Sequence, residues 1–144
     1  MTTIAYDGKT LCIDSQTTTE VIHTRTTKKM WLDVGDFPCV AMCGNSADWA
    51  PALQWLRDGA KPNEWGSCWD VAAWAVTKSG KVERYVRGHP ESVTSPDSDG
   101  SGAEIALGAM AAGATARQAM KIARGYDLYT GGKIRAYKIL AQPK

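Results

Sequence analysis

The run Cys39-Val40-Ala41-Met42-Cys43 constrains this chain more than any other stretch, because a continuous apolar segment that stops at Gly44 reads as a strand buried on both faces. Such a strand has to sit within packed layers. A helix is expected next: Asn45 or Ser46 can cap it, Pro51 is tolerated near its first turn, and Leu53, Leu56 and the neighbouring tryptophans give it an apolar stripe up to Gly59.

The rest of the chain alternates in the same way. Thr2 to Tyr6 and Thr10 to Asp14 are short β-prone runs around Asp7-Gly8-Lys9, a hairpin signal. A three-residue loop at 7–9 sets Tyr6 opposite Thr10, Ile4 opposite Cys12 and Thr2 opposite Asp14, whereas a two-residue turn pairing Thr2 with Ile13 moves Asp14 to the other face. Thr17 to Thr27 is rich in β-branched residues and runs on through Lys28 and Lys29 into Met30-Trp31-Leu32, with a turn at Gly35-Asp36-Phe37-Pro38. Ala60 to Ser67 reads as a loop or a broken helical turn. Val71 to Thr77 and Lys81 to Val86 form a second hairpin around Ser79-Gly80, and a Pro/Ser/Asp-rich loop leads to Gly100. Ala103 to Ala112 is helical up to Gly113, Thr115 with Gln118 makes a capping box for a helix through Ala123, and a last strand spans Lys133 to Leu140. Strands, helix, strands, two helices and a strand describe an α+β chain of two mostly antiparallel packed sheets with helices on their outer faces. At 144 residues, a single domain over 1–144 is expected.

Composition removes several classes of function. The net charge of +2 is dispersed, so no footprint for nucleic acid or an anionic membrane stands out. Cys12, Cys39, Cys43 and Cys68 lack metal or redox spacing and suit a reducing compartment. His23 and His89 lie near no ligand cluster, so neither a metal nor another cofactor is expected. No basic leader and no apolar span of ~20 residues is evident, and a cytoplasmic location follows as the expectation.

Four segments, in order, carry a resemblance: "TTIAYDGKTLCIDSQTT", "TTKKMW", "VAMCGNSADW", and the pair "GSGAEIALG" and "YDLYTGGKIRAY". Together they resemble the proteasome β-subunit and HslV peptidase family over nearly the whole chain. That family implies a four-layer αββα sandwich of the N-terminal nucleophile hydrolase type, a threonine endopeptidase activity, and homo-oligomeric rings that enclose the sites. The stretch at Ala60 to Ser67 is short for the family's long second helix, so that helix is expected to be shortened.

The resemblance also implies roles. Thr2, once Met1 is removed, is the nucleophile and its own α-amine the base; a free α-amine has a reference pKa of about 7.7–8.0, within reach of neutrality. Lys29 sits where the family has the lysine that lowers that amine, and Asp14 where a carboxylate orients the lysine. Gly44 matches the backbone N–H donor of an oxyanion hole. Ser101, Asp127 and Thr130 match the positions that hold the terminal amine and its water, with Gly131 and Gly132 letting the backbone turn close by. Thr18 is placed where the backbone pairs with an extended substrate, and Thr17, Thr27, Trp31 and Met42 around the specificity pocket, whose apolar walls suggest cleavage after uncharged side chains. Unfolded polypeptide or peptide is the implied substrate, with a separate ATPase unfoldase as a candidate partner.

Other readings stand beside these. Thr2 and Thr3 can also begin a strand, a reading the later segments weaken; Lys28 can solvate an exposed edge, Asp14 and Asp127 close turns, and Ser101 cap a helix. Trp49, Trp55, Trp65, Trp69 and Trp74 read as core or subunit contact. A catalytically silent proteasome-like assembly or binding subunit is the main alternative function, and an amidase acting on a small molecule is a third.

Overall fold

The computed structural model describes residues 1–18 and 24–140. In chain order the elements are β1 (Thr3–Tyr6), β2 (Thr10–Ile13), β3 (Gln16–Thr18), β4 (Thr24–Thr26), β5 (Met30–Val34), β6 (Phe37–Gly44), α1 (Trp49–Arg57), β7 (Val71–Val76) and β8 (Val82–Tyr85). They continue with β9 (Pro90–Ser92), β10 (Asp97–Gly100), α2 (Ala103–Ala111), α3 (Ala116–Tyr126) and β11 (Arg135–Lys138). The fold is α+β with antiparallel sheets, and it resolves into two compact units, one of residues 1–29 and 94–139 and one of residues 30–93 and 140–144.

The first unit is built on a sheet ordered β10-β1-β2-β11, with β3 and β4 forming a separate two-stranded ribbon. Ala5 and Cys12, paired across β1 and β2, face Ala106, Met110, Ala116, Ala119, Met120 and Ala123 of α2 and α3. The alanines bring helix and sheet close, and the strongly one-sided apolar pattern of α3 is what this packing consumes. Thr115 accepts from the Gln118 N–H while the Gln118 side chain accepts from the Thr115 N–H, so the expected capping box is present. The Asp7 carboxylate takes the Ala116 N–H at 2.8 Å, fastening the first hairpin to the start of α3.

The hairpin register differs from expectation. Ile4 opposes Ile13, Ala5 opposes Cys12 and Tyr6 opposes Leu11, so the loop is the two residues Gly8 and Lys9 rather than Asp7 to Lys9. Gly8, at φ +95°, occupies the first central position of a tight turn, a conformation that favours glycine, and Asp7 stays within the ladder. Thr3, not Thr2, therefore lies opposite Asp14. A second correction concerns the Pro/Ser/Asp-rich loop before Gly100, which contains β9 and β10. Asp97-Ser98-Asp99-Gly100 has little strand propensity of its own and is extended because it pairs with the whole of β1.

The second unit is a five-stranded antiparallel sheet, β5-β6-β7-β8-β9, with α1 packed on it. The anticipated apolar strand is β6, in which Cys39, Val40, Ala41 and Met42 are all fully buried. Val40 and Met42 share a cluster with Val34, Trp49, Leu53 and Leu56. Asn45 caps a short 3-10 turn at Ser46–Asp48 that leads into α1. The second helix is not merely shortened: between α1 and β7 stands a single 3-10 turn, Pro62–Glu64. Trp69, Trp65, Trp55 and Tyr85 form an edge-to-face series with successive centroid separations of 5.0, 4.8 and 5.5 Å. Trp74 is fully buried, and the reading of the tryptophans as core holds for it, Trp49 and Trp55.

Candidate active site

Six of the seven residues assigned catalytic roles, Thr2, Asp14, Lys29, Ser101, Asp127 and Thr130, belong to the first unit. Asp14 lies one residue past the end of β2 and is fully buried. Freed from strand alternation, its carboxylate turns to the backbone edge: Oδ1 accepts the Thr3 N–H at 3.1 Å, and Oδ2 the Gly131 N–H at 3.1 Å. That is why Asp14 reaches the neighbourhood of residue 2 without the three-residue loop that side-chain alternation had demanded.

Lys29 is almost completely buried, and its Nζ lies 3.0 Å from Asp14 Oδ1. The same ammonium donates to the Met1 carbonyl oxygen at 3.0 Å. A buried lysine thus bridges a carboxylate and the carbonyl on the amino side of Thr2. With Met1 in place, the nitrogen of Thr2 is a peptide amide and the α-amine belongs to Met1. That amine is held below its ordinary pKa by burial and then by the Lys29 charge, against the opposing pull of Asp14 and Asp127.

A second cluster approaches Thr2 from β10 and the loop after α3. The Thr2 carbonyl accepts the Ser101 N–H at 2.9 Å. Gly100, at φ +91°, permits that approach, because a Cβ there would run into the Thr2 carbonyl. Ser101 Oγ donates to Asp127 Oδ2 at 2.6 Å, and Thr130 Oγ1 donates to the same oxygen. Burial alone would raise the Asp127 carboxyl, but hydrogen bonds from Ser101, Thr130 and the Tyr129 N–H, with the positive chain-terminal amine, together hold it below the usual carboxylate range. Thr130 Oγ1 also lies 2.6 Å from Thr3 Oγ1, which accepts the Gly102 N–H at 2.9 Å. Gly131 and Gly132 sit tightly against Gln16 and Ser15, where a Cβ would collide. An open groove of about 460 Å³, lined among others by Gln16, Arg124, Leu128 and Gly131, reaches Asp127 and Thr130.

The remaining assigned residues are dispersed. Thr17 is on β3, and its hydroxyl is buried with no hydrogen-bond partner among the described residues; the Thr27 N–H donates to the Ser15 carbonyl at 2.7 Å. Thr18 contributes backbone pairing with Thr24, and its side chain, like His23, lies outside the described residues. Gly44, Trp31 and Met42 belong to the second unit. Gly44 ends β6 at φ +100°, where a Cβ would strike the Asp70 carbonyl, so its own fold already requires glycine. Met42 is wholly enclosed in the unit's core, while Trp31 is half-buried and meets Trp49 edge-on at 5.9 Å.

Sequence reasoning passed over Thr3 and Gly102. Thr3 touches the Asp127 cluster through its hydroxyl, and Gly102 donates its N–H to that hydroxyl. The available signal was the second threonine of the opening pair: in a strand, residue 3 faces opposite to residue 2, and a polar side chain buried there needs partners.

No family model and no curated protein matches the chain. Among solved structures it is similar to Thiobacillus denitrificans BPH, with a TM-score of 0.70 at 16% identity over 99% of both chains. It is likewise similar to Thiobacillus denitrificans BPH in complex with epoxomicin, with a TM-score of 0.68 at 17% identity over 99% of both chains. At such identities the likeness is one of fold.

Proposed function

We propose that this protein is a threonine peptidase of the N-terminal nucleophile class, in which Thr2, freed of Met1, attacks peptide bonds with its own α-amine as base. The observation that carries this reading is the position of Lys29, whose buried ammonium is shared between Asp14 Oδ1 and the carbonyl of residue 1, both at 3.0 Å. Pairing with Asp14 accounts for a buried cation, but not for its second contact with the first peptide bond. An amine that must act as a base does call for a cation there.

The chemistry follows from the neighbours. With residue 1 gone, the α-amine of Thr2 lies beside Lys29, and a positive charge next to an amine favours its unprotonated form. Unprotonated, it takes the proton of Thr2 Oγ1, which attacks the substrate carbonyl; the amine then passes that proton to the departing amine, and water cleaves the resulting ester by the same route. Asp14 keeps Lys29 in place. Asp127, with Ser101 and Thr130, supplies acceptors for the N–H groups of the terminal amine and for the incoming water. Thr17, Thr18 and Thr27, in the same unit as Thr2, are proposed to contact substrate. The reading brings with it the αββα arrangement of the class and a homo-oligomeric ring. It is supported by the fold shared with a protein that takes epoxomicin, a proteasome inhibitor.

The test is intact-mass spectrometry before and after treatment with epoxomicin. The expected result is a chain beginning at Thr2 that gains one inhibitor mass, with the gain lost in Thr2→Ala and Lys29→Ala. Protein that keeps Met1 quantitatively and takes no adduct would overturn the reading in favour of a silent subunit. An adduct that persists in Thr2→Ala would place the nucleophile elsewhere.

A further inference from the structure

The bond between Met1 and Thr2 has to be hydrolysed before Thr2 has an amine, and that bond is firmly seated. Met1 is exposed, but Thr2 and Thr3 are buried. β1 is an interior strand of its sheet, lying between β10 and β2, with Thr3 paired to Gly100 and Ile4 to Ile13. The first two peptide groups are both held. The Met1 carbonyl accepts from Lys29 Nζ at 3.0 Å, the Thr2 carbonyl accepts the Ser101 N–H at 2.9 Å, and the Thr3 N–H donates to Asp14 Oδ1 at 3.1 Å. A chain end tied into a sheet in this way is not a loose tail. An aminopeptidase has to surround the α-amine, polarise the scissile carbonyl and give room to the next side chain. Here the carbonyl is turned to a buried ammonium and the next side chain belongs to a buried residue, so reaching the bond requires residues 1–3 to be drawn out of the sheet.

Resting on the peptidase reading for its consequence, the geometry carries a statement about order: we infer that residue 1 is removed by a separate aminopeptidase before β1 takes its place between β10 and β2, and that a chain which folds with Met1 attached is out of that enzyme's reach. In the excision, water adds across the bond, its oxygen going to the Met1 carbonyl carbon and a proton to the Thr2 nitrogen. Free methionine leaves, and the α-amine of Thr2 appears. Excision first gives an end at Thr2 whose amine folds in beside Lys29. Folding first leaves the Lys29 ammonium on the Met1 carbonyl and the Thr2 nitrogen an amide without basicity, so the molecule stays silent for as long as β1 stays in the sheet. The topology leaves time for the productive order. Gly100, the partner of Thr3, is made nearly a hundred residues after it, and at about 5–20 residues per second that side of β1 stays unpaired for about 5–20 s. The fraction of reactive protein is therefore set during synthesis, by excision competing with the completion of this sheet.

The test gives purified methionine aminopeptidase three substrates and follows loss of the methionine mass by mass spectrometry. The first is the full folded chain with Met1 retained, made by expression with the cellular methionine aminopeptidase inhibited. The second is the same chain with Ala-Gly-Ser inserted between Met1 and Thr2, which carries the methionine clear of the sheet. The third is a peptide of residues 1–12. The expected result is removal from the peptide and the inserted chain at rates within about tenfold of each other, and removal from the folded chain at least about 100-fold slower, since three hydrogen bonds must open first. Comparable rates from the folded chain and the peptide overturn the inference, as does loss of residue 1 from the folded chain with no aminopeptidase present, which would make the removal the protein's own. A refractory inserted chain means that something other than the seating of β1 protects the end, and a refractory peptide means that no such enzyme supplies the amine; each overturns the inference too. Should the inserted chain not fold, the folded chain and the peptide remain the deciding pair. The peptidase reading fails separately: a chain that begins at Thr2 and takes no epoxomicin adduct sinks that reading and leaves the order of excision and folding standing.

Discussion

Lys29 Nζ lies 3.0 Å from Asp14 Oδ1, with both side chains withdrawn from solvent and the carboxylate also holding the Thr3 and Gly131 amides. Few arrangements are less tolerant of losing one member. Two ions brought out of water are compensated only by each other and by their remaining hydrogen bonds, so deleting one leaves an unpaired buried charge. Lys29→Met and Asp14→Leu are each expected to cost about 3–5 kcal/mol in urea unfolding, and the double substitution less than the sum of the two. Additive losses would mean that the two groups do not interact in solution.

Asp127 makes stability depend on pH. Its folded pKa lies below the usual carboxylate range, so its contribution is present above the unfolded value of about 3.9 and disappears as pH falls through the folded one. Wild type and Asp127→Asn should therefore differ in Tm between pH 5 and 7 and converge below about pH 4. A Tm difference that stays constant down to pH 3 would contradict the hydrogen-bonded carboxylate.

Gly44 answers a steric question without any substrate. At φ +100°, with the Asp70 carbonyl in the path of a Cβ, Gly44→Ala is expected to lower stability by more than about 1 kcal/mol, read as a fall in Tm. A variant of unchanged Tm that loses only reactivity would mean that the glycine serves the site alone.

The thiols separate by environment. Burial pushes Cys12 and Cys39 up to about 12, which leaves almost no thiolate at pH 8, whereas Cys68 is exposed. Iodoacetamide on folded protein should label Cys68 while sparing Cys12 and Cys39, as peptide mapping would report. Early labelling of Cys12 would mean that the β1 and β2 sheet opens readily.

What could be read from residues alone was what local chemistry decides. The capping box at Thr115 and Gln118, the β7–β8 turn at Ser79-Gly80 and the buried strand ending at Gly44 each have a signal a few residues long. β10 has none, since Asp97 to Gly100 becomes a strand only because β1 offers it partners ninety residues away. The three-residue loop expected at Asp7 to Lys9 gives way to a two-residue turn, because Asp7 keeps its pairing with Thr10 and Gly8 takes the first central place and Lys9 the second. The candidate site shows the same division. Periodicity could not bring Ser101, Asp127 and Thr130 to Thr2; their assignment came from a resemblance, and the hydrogen bonds among them follow from the fold. Thr3 escaped both, since its partners, Gly102 and Thr130, lie about a hundred residues or more along the chain.

All six tryptophans fall between residues 31 and 74, within the second unit, while the first unit has only tyrosines for chromophores. Indole emission is thus a private reporter of the β5–β9 sheet and α1, and the edge-to-face run from Trp69 to Tyr85 gives that half strong near-ultraviolet dichroism when its rings are locked. Spectroscopy without any label can follow the melting of one half of this molecule while amide exchange follows the half that carries Thr2.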